Sequence, residues 1–411
     1  MARIKPFKAL RPRSDLADKI AALPYDVMSS SEARDMVEDN HHSFLRIDRA
    51  EINFPELADP HEPKVYTKAR EILDAMVDDR HLIQDETECF YIYRQIMDGR
   101  AQTGLVSCAS IDDYRNNVIK KHEFTRPDKE QDRIDHIKAL QAQTGPIFQT
   151  YRDSPEITRL INEWIDDHQA VYAFTANDVE HICWVVDCPR SIRTLVRLFA
   201  DIDHLYIADG HHRSAAATRV GMEMRKGNPN PEAEFNYFLS VLFPASDLKI
   251  WPYNRLVADL NGYSEEAFLQ RVEENFILER APIFPYEPEE RKLFGMYVGD
   301  QWYKLTPKPK VVQVDDIVKD LDVAVLQDHL LDPILNIKDP RRDERIHFVG
   351  GIRGLKELER RVKTDMKVAF SLHPTSIREI LAVADRNQVM PPKSTWFEPK
   401  LLSGLFIHRL S

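Results

Sequence analysis

The sequence predicts a mixed α/β (α+β) fold. Three observations carry this. Strand-length runs of alternating or continuous apolar residues recur along the chain, and segments with helical spacing lie between them. Two strand pairs flank Asp98-Gly99 and Gly299-Asp300, the dipeptides of tight hairpin turns. Hydrophobic residues make up 43% of the 411 and charged residues 30%. That is enough for a sizeable core under an ordinary solvated surface, in about two or three structural units.

The first region, 1–116, opens with an extended stretch from Ile4 to Leu10, followed by the loop Pro24-Tyr25-Asp26-Val27. One of Ser29, Ser30 and Ser31 is positioned to cap a helix over Glu32–Glu38, because a serine hydroxyl accepts from the unpaired N–H groups of a first turn. Phe44 to Ile47 reads as a short strand. Val65 to Asp78 places Ala69, Ile72, Leu73, Met76 and Val77 on one helical face. Phe90–Ile96 and Gln102–Ser110 read as a hairpin.

The second region, 117–234, holds a loop at His122-Glu123-Phe124-Thr125 and then a charged helix over Lys129–Ala142. Strands are expected at Ile147–Tyr151, Ala170–Phe174, Ile182–Val186 and His204–Ala208, with a helix at Ser191–Phe199. A further helix is expected to begin near His212. The third region, 235–411, alternates strands (Phe238–Phe243, Lys249–Leu256, Leu293–Val298, Trp302–Leu305, Ile346–Val349, Val368–Leu372) with helices (Val323–Leu331, Leu355–Val362, Ser376–Asp385). Its tail, Met390 to Lys400, is too proline-rich for a helix. Gly350-Gly351 follows a strand and precedes a helix, but the pattern is not GxGxxG and reads as a turn.

The formal net charge of −11, with no dense Lys/Arg run, argues against sequence-independent nucleic-acid binding. The four cysteines, Cys89, Cys108, Cys183 and Cys188, form no C-x-x-C pair and are too few for a disulfide framework. No apolar run has bilayer-spanning length, and the N-terminus has no apolar signal core. The expectation is a cytoplasmic protein with no membrane association.

The strongest local signal is a buried-type strand running into Asp209-Gly210-His211-His212-Arg213 and then an alanine-rich helix. A helix N-terminus presents N–H groups without intrahelical partners at the positive end of the helix dipole, which suits phosphate. Gly210 permits the turn and a close backbone approach. Arg213 can clamp two phosphate oxygens, and the imidazoles can donate to others. Asp209, His211 and His212 are also metal-ligand types. His122-Glu123 does not extend to HExxH, since Arg126 stands at the fifth position.

These residues resemble the phosphate-binding box of the ParB/sulfiredoxin superfamily, in the Asp-Gly-His-His-Arg form of free serine kinases, with His122-Glu123 as the upstream His-Glu. Over nearly the whole chain the sequence is similar to a bacterial and archaeal domain-of-unknown-function family, number 1015. The similarity runs through Pro24 to Val27, Ser43 to Arg46, His122 to Thr125, the box, and Met390 to Lys400.

The resemblance implies a mixed-sheet ParB/sulfiredoxin-like core at 117–234, with an insertion near 154–199, elaborated by N- and C-terminal α/β regions. It implies a nucleotide-dependent small-molecule kinase, with ATP or ADP as phosphoryl donor, Mg2+ as cofactor and free L-serine or a similar hydroxylated amino acid as acceptor. Glu123 takes the role of general base. Asp209 orients the acceptor or helps hold Mg2+, and Gly210, His211, His212 and Arg213 hold the donor phosphates, His211 counting also among the catalytic groups. His122, Arg133, Lys393, Ser394, Thr395 and Lys400 are candidate ligand contacts. The alternative is a nucleotide-binding switch or adaptor of ParB type without kinase turnover. Sulfiredoxin chemistry would need a cysteine where His211 stands.

Overall fold

The left-handed turn at Asp98 and Gly99 (φ 52° and 73°) folds two long strands back on each other, and this hairpin lies inside a nine-stranded sheet. The computed structural model describes residues 1–55 and 59–411. They divide into two units, Met1–Leu248 with Pro399–Ser411, and Lys249–Glu398.

The sheet of the first unit contains β1 (Ile4–Lys5), β2 (Phe90–Met97), β3 (Arg100–Ser110), β4 (Ile119–Lys120), β5 (Ile147–Tyr151), β6 (Tyr172–Ala176), β7 (Val179–Val186), β8 (Leu205–Asp209) and β9 (Tyr237–Pro244). Their order is β4-β8-β5-β9-β3-β2-β7-β6, with β1 against β3. β8 runs parallel to β4 and β9 parallel to β5; the other pairs are antiparallel. The sheet is therefore mixed, as expected. Residues 1–116 and 117–234 contribute strands to this one sheet, and the segment near 154–199 adds two of them, β6 and β7, at its edge. Residues 235–411 divide between the two units.

Helices of the first unit include α1 (Ser30–Met36), α2 (Leu45–Asp48), α3 (Pro63–Asp78), α4 (Pro127–Leu140), α5 (Pro155–Asp167), α6 (Pro189–Ala200) and α7 (His211–Met224). Ser29 caps α1 through a capping box with Glu32, so two otherwise unpaired N–H groups are satisfied. α3 buries Val65, Ala69, Leu73 and Met76, the face its spacing predicts. Phe44 to Ile47, expected as a strand, is the start of α2 instead. Phe44, Leu45 and Ile47 are all buried in the cluster that also holds Leu73 and Met76. Helical spacing sends all three into that core, whereas a strand would turn alternate residues out, so packing overrides β propensity.

α7 lies close to its neighbours because its inner face is small: Ser214, Ala215, Ala216, Ala217 and Gly221 are all buried. α4 packs along it, and Glu130–Arg219 (2.9 Å) and Lys138–Glu223 (2.7 Å) link their polar flanks.

The second unit is built on a six-stranded antiparallel sheet of β10 (Tyr253–Val257), β11 (Phe276–Arg280), β12 (Phe294–Val298), β13 (Gln301–Pro307), β14 (Ile346–Gly350) and β15 (Val368–Leu372), in the order β11-β13-β12-β15-β10-β14. Pro252 interrupts the single strand expected over Lys249–Leu256: Ile250–Trp251 pairs with Trp396–Phe397 of the tail, and β10 joins the sheet. The helix expected over Val323–Leu331 is α-helical only through Leu326 and continues as a wider π-type turn.

A Cβ at position 221 would lie 2.2 Å from the backbone oxygen of Phe235 and 2.8 Å from Ile111. Gly221→Ala is therefore expected to destabilise the protein by about 1–3 kcal/mol through overpacking. Gly227→Ala, where the added atom meets only Met224 at 3.8 Å, is expected to shift stability by no more than about 0.5 kcal/mol. Urea unfolding midpoints of the two variants test the pair.

Candidate functional site

β8 delivers Leu205, Tyr206, Ile207 and Ala208 into the core, and its register against β5 shifts between Ile207 and Asp209. The chain then turns through Gly210 at φ +98° and enters α7 at His211. A side chain at Gly210 would be strained by that φ and would press on the Arg213 guanidinium, 3.2 Å from Nε. Gly210 at the N-cap has no side chain to cap α7. The first turn of this 14-residue helix lies at the positive end of its dipole.

The two histidines of the box fasten a loop. The His122 N–H donates to His211 Nε2 (3.5 Å), and the Arg126 N–H donates to His212 Nε2 (2.9 Å). Each Nε2 is thus an acceptor, so in the neutral ring the proton sits on Nδ1. For His211 that N–H faces Glu123, whose Oε2 lies 3.7 Å away. The His122 ring stands edge-on to His211, with centroids 4.6 Å apart. His211 is 4% exposed, and the Glu123 side chain 41%. The loop that carries Glu123 is thereby tied to the start of α7.

Asp209 faces cations. Lys400 Nζ donates to its Oδ2 at 3.0 Å, and Arg213 Nη2 lies 3.9 Å from its Oδ1. The Lys400 carbonyl in turn accepts from Gln95 Nε2 (2.8 Å), and Arg213 Nη1 donates to the Pro146 carbonyl (2.6 Å). Burial pushes the Asp209 carboxyl up, but the Lys400 and Arg213 charges and the Lys400 hydrogen bond outweigh it and hold the group well below the usual carboxylate range. Burial lowers His122 to about 4. It also takes His211 well below its ordinary value, helped by the His122 charge and opposed by Asp209. Both rings are neutral near pH 7.

Asp209, expected as a Mg2+ ligand, has a donor set that does not fit a resident divalent ion. Lys400 already sits where a cation would bind the carboxylate. No group of three His, Cys, Asp or Glu among the described residues is arranged to hold a metal.

Arg133 lies 3.8 Å over the Tyr25 ring and pairs with Asp132 at 2.7 Å. Together with Arg213 it lines a cleft. Lys393, Ser394 and Thr395 belong to the second unit. There Lys393 Nζ lies 5.7 Å from the Tyr253 ring centroid and its carbonyl accepts from Arg255, while the Ser394 hydroxyl donates to the Pro391 carbonyl. Lys400 lies in the first unit. Sequence reasoning missed Asp48, Thr144, Gly145 and Ser403, which line the cleft beside Arg213. They come from three separate stretches, and no local pattern joins them.

A family model described as a protein of unknown function (DUF1015) matches residues 4–324. Similar solved structures include a free serine kinase variant in complex with AMP (15% identity, covering 72% of this chain and 87% of that one, TM-score 0.37). A free serine kinase variant in complex with ADP is also similar (14% identity, 74% and 90%, TM-score 0.37). So is SbnI with a C-terminal truncation from Staphylococcus aureus (13% identity, 72% and 85%, TM-score 0.39). No curated protein matches the sequence. No helix among the described residues is long and apolar enough to cross a membrane.

Lys400→Met removes a cation from a carboxylate that is 30% exposed. The expected cost at pH 7 is about 1–3 kcal/mol. Asp209 is depressed in the folded state, so the difference from wild type should be full above about pH 4 and close as pH falls further; urea unfolding at pH 7 and pH 3 measures it. The histidines share this proton preference, at a higher pH. An unfolded imidazole binds a proton below about pH 6.5, but the folded His122 ring only below about 4. Stability should therefore fall between those two pH values, by about 3 kcal/mol for His122 alone. His122→Gln should flatten that slope in unfolding curves taken across the interval.

Proposed function

The chain belongs to the family described as a protein of unknown function (DUF1015), and from that premise and the geometry of its box we propose that it is a nucleotide-dependent small-molecule kinase. The observation that carries the reading is the start of α7 at Gly210, a cap residue without a side chain, with Arg213 beside it and Glu123 held 3.7 Å from His211. The phosphates of ATP or ADP dock on the first N–H groups of α7 and on Arg213, where backbone donors and a guanidinium meet anionic oxygens without a dedicated metal cage. The box of Gly210, His211, His212 and Arg213 supplies those contacts.

The acceptor is the hydroxyl of free L-serine or a similar amino acid. Its oxygen attacks the terminal phosphorus, the new O–P bond forms as the bridging P–O bond breaks, and ADP or AMP leaves. The hydroxyl proton passes to the Glu123 carboxylate. Neutral His211 turns its Nδ1–H toward Glu123 and orients it as a base without cancelling its charge, as an imidazolium would. Asp209, fixed by Lys400 and Arg213, sets the position of Arg213 and can orient the acceptor. Phosphoryl transfer of this kind relies mainly on positioning and charge neutralisation, which buried cations at a helix start supply.

The test is phosphoserine formation from L-serine with ATP or ADP and Mg2+, followed by mass spectrometry. Product is expected with the wild type. Glu123→Gln should lower turnover about 10²–10⁴-fold while nucleotide still binds, and Arg213→Ala should lose nucleotide binding. Turnover that survives Glu123→Gln intact removes Glu123 from the role of base. Nucleotide binding without product from any hydroxylated amino acid would point to a ParB-type nucleotide switch instead.

A further inference from the structure

A cleft beside the box carries charges that the phosphate chemistry does not use. Tyr25, Asp48, Arg133, Thr144, Gly145 and Arg213 are among the residues that line it, and it is partly open to solvent. Arg213 belongs both to this lining and to the box, so a molecule in the cleft lies next to a phosphate held at the start of α7.

Two charged side chains in this cleft are buried with hydrogen-bonding capacity unused. Arg133 is 8% exposed. Its guanidinium is held against Tyr25, and Asp132 takes its Nε and Nη2 (2.9 and 2.7 Å). Nη1 makes no hydrogen bond to any described residue, so one N–H-bearing corner of a fixed, planar fork stays available. Asp48 is 4% exposed. Its Oδ1 accepts from the Thr144 hydroxyl at 2.7 Å, and His136 Nε2 stands 3.8 Å away. Burial and the neighbouring Arg133 charge lower His136, so this imidazole is no counter-ion near pH 7. Among the described residues no Lys or Arg forms a direct ion pair with Asp48, and the Arg133 charge acts on it from farther away. A buried carboxylate with no cation in contact is costly, and a ligand cation beside it would relieve that cost. One cleft thus offers a guanidinium corner for an anion and a carboxylate for a cation.

We propose that this cleft is a zwitterion site that binds a small α-amino acid, with Arg133 on the α-carboxylate and Asp48 on the α-ammonium group. That it holds the acceptor rests on the kinase reading; that it binds an amino acid rests on the cleft alone. Selectivity then comes from the pair of charges, because a ligand lacking either one leaves a buried partner unmatched.

Calorimetric titration of the full chain, with and without AMP, tests this using L-serine, ethanolamine (no carboxylate) and 3-hydroxypropanoate (no ammonium). L-serine is expected to bind, and each analogue at least about 10-fold more weakly, the scale of one lost charged hydrogen bond. Arg133→Met should weaken L-serine about 10–100-fold. Should that variant fail to fold, Gly145→Ala serves in its place. Its added methyl would sit 3.4 Å from both Arg213 Nη1 and Ser403 Oγ, an ordinary contact, and would narrow the cleft; weaker L-serine binding is expected. No binding of L-serine in either condition, equal binding of all three ligands, or L-serine affinity unchanged in both variants would overturn the proposal. L-serine binding as described without phosphoserine formation would overturn the kinase reading and leave this one standing.

Discussion

The turn at Gly210 is the constraint on which the site depends. Only a residue tolerant of φ +98° can end β8 and start α7 within a single step, and a side chain there would crowd the Arg213 guanidinium. Because the turn needs glycine, no Ser, Thr, Asp or Asn stands at the N-cap of α7. The small inner face of α7 follows from the same requirement. A helix launched straight from a buried strand must lie close to its neighbours, and Gly221 against Phe235 shows how close.

Electrostatics organises the surroundings of that turn. Asp209 is held by Lys400 and Arg213, and each of these is anchored by a further backbone or side-chain contact, to Gln95 and to Pro146. The cations therefore stay in place for an anionic visitor without moving first, which is the condition for strong charge stabilisation in a partly buried site. The histidines do less with charge than their number suggests. Burial keeps His122 and His211 neutral, and the box histidines His211 and His212 serve to pin the 122–126 loop by accepting from its amides.

The proposed division of labour rests on these placements. Phosphate would meet amides and Arg213 at the start of α7. An amino acid would meet Arg133 and Asp48 in the adjoining cleft, and Arg213 stands at the border of both. The Glu123 loop, fixed to α7 through two imidazoles, brings the remaining functional group to the same helix start.

The sequence by itself determined the mixed α/β class, most of the helices and strands, and the strand–turn–helix at Asp209–Arg213. In each, the signal is local: alternation, helical spacing, a hairpin dipeptide, or a glycine between a buried strand and an alanine-rich helix. It did not determine the α2 helix, because Phe44, Leu45 and Ile47 fit either element until α3 supplies the core they fill. Nor did it determine the partners of the box. Lys400 is 191 residues from Asp209, and the cleft draws on stretches near residues 25, 48, 133–145 and 403. Residues so far apart meet only when the sheet places β8 beside β5 and the chain returns at 399–411 to the first unit. Tertiary structure alone decided those meetings, because a charge pair across such a separation leaves no periodicity in the sequence to read.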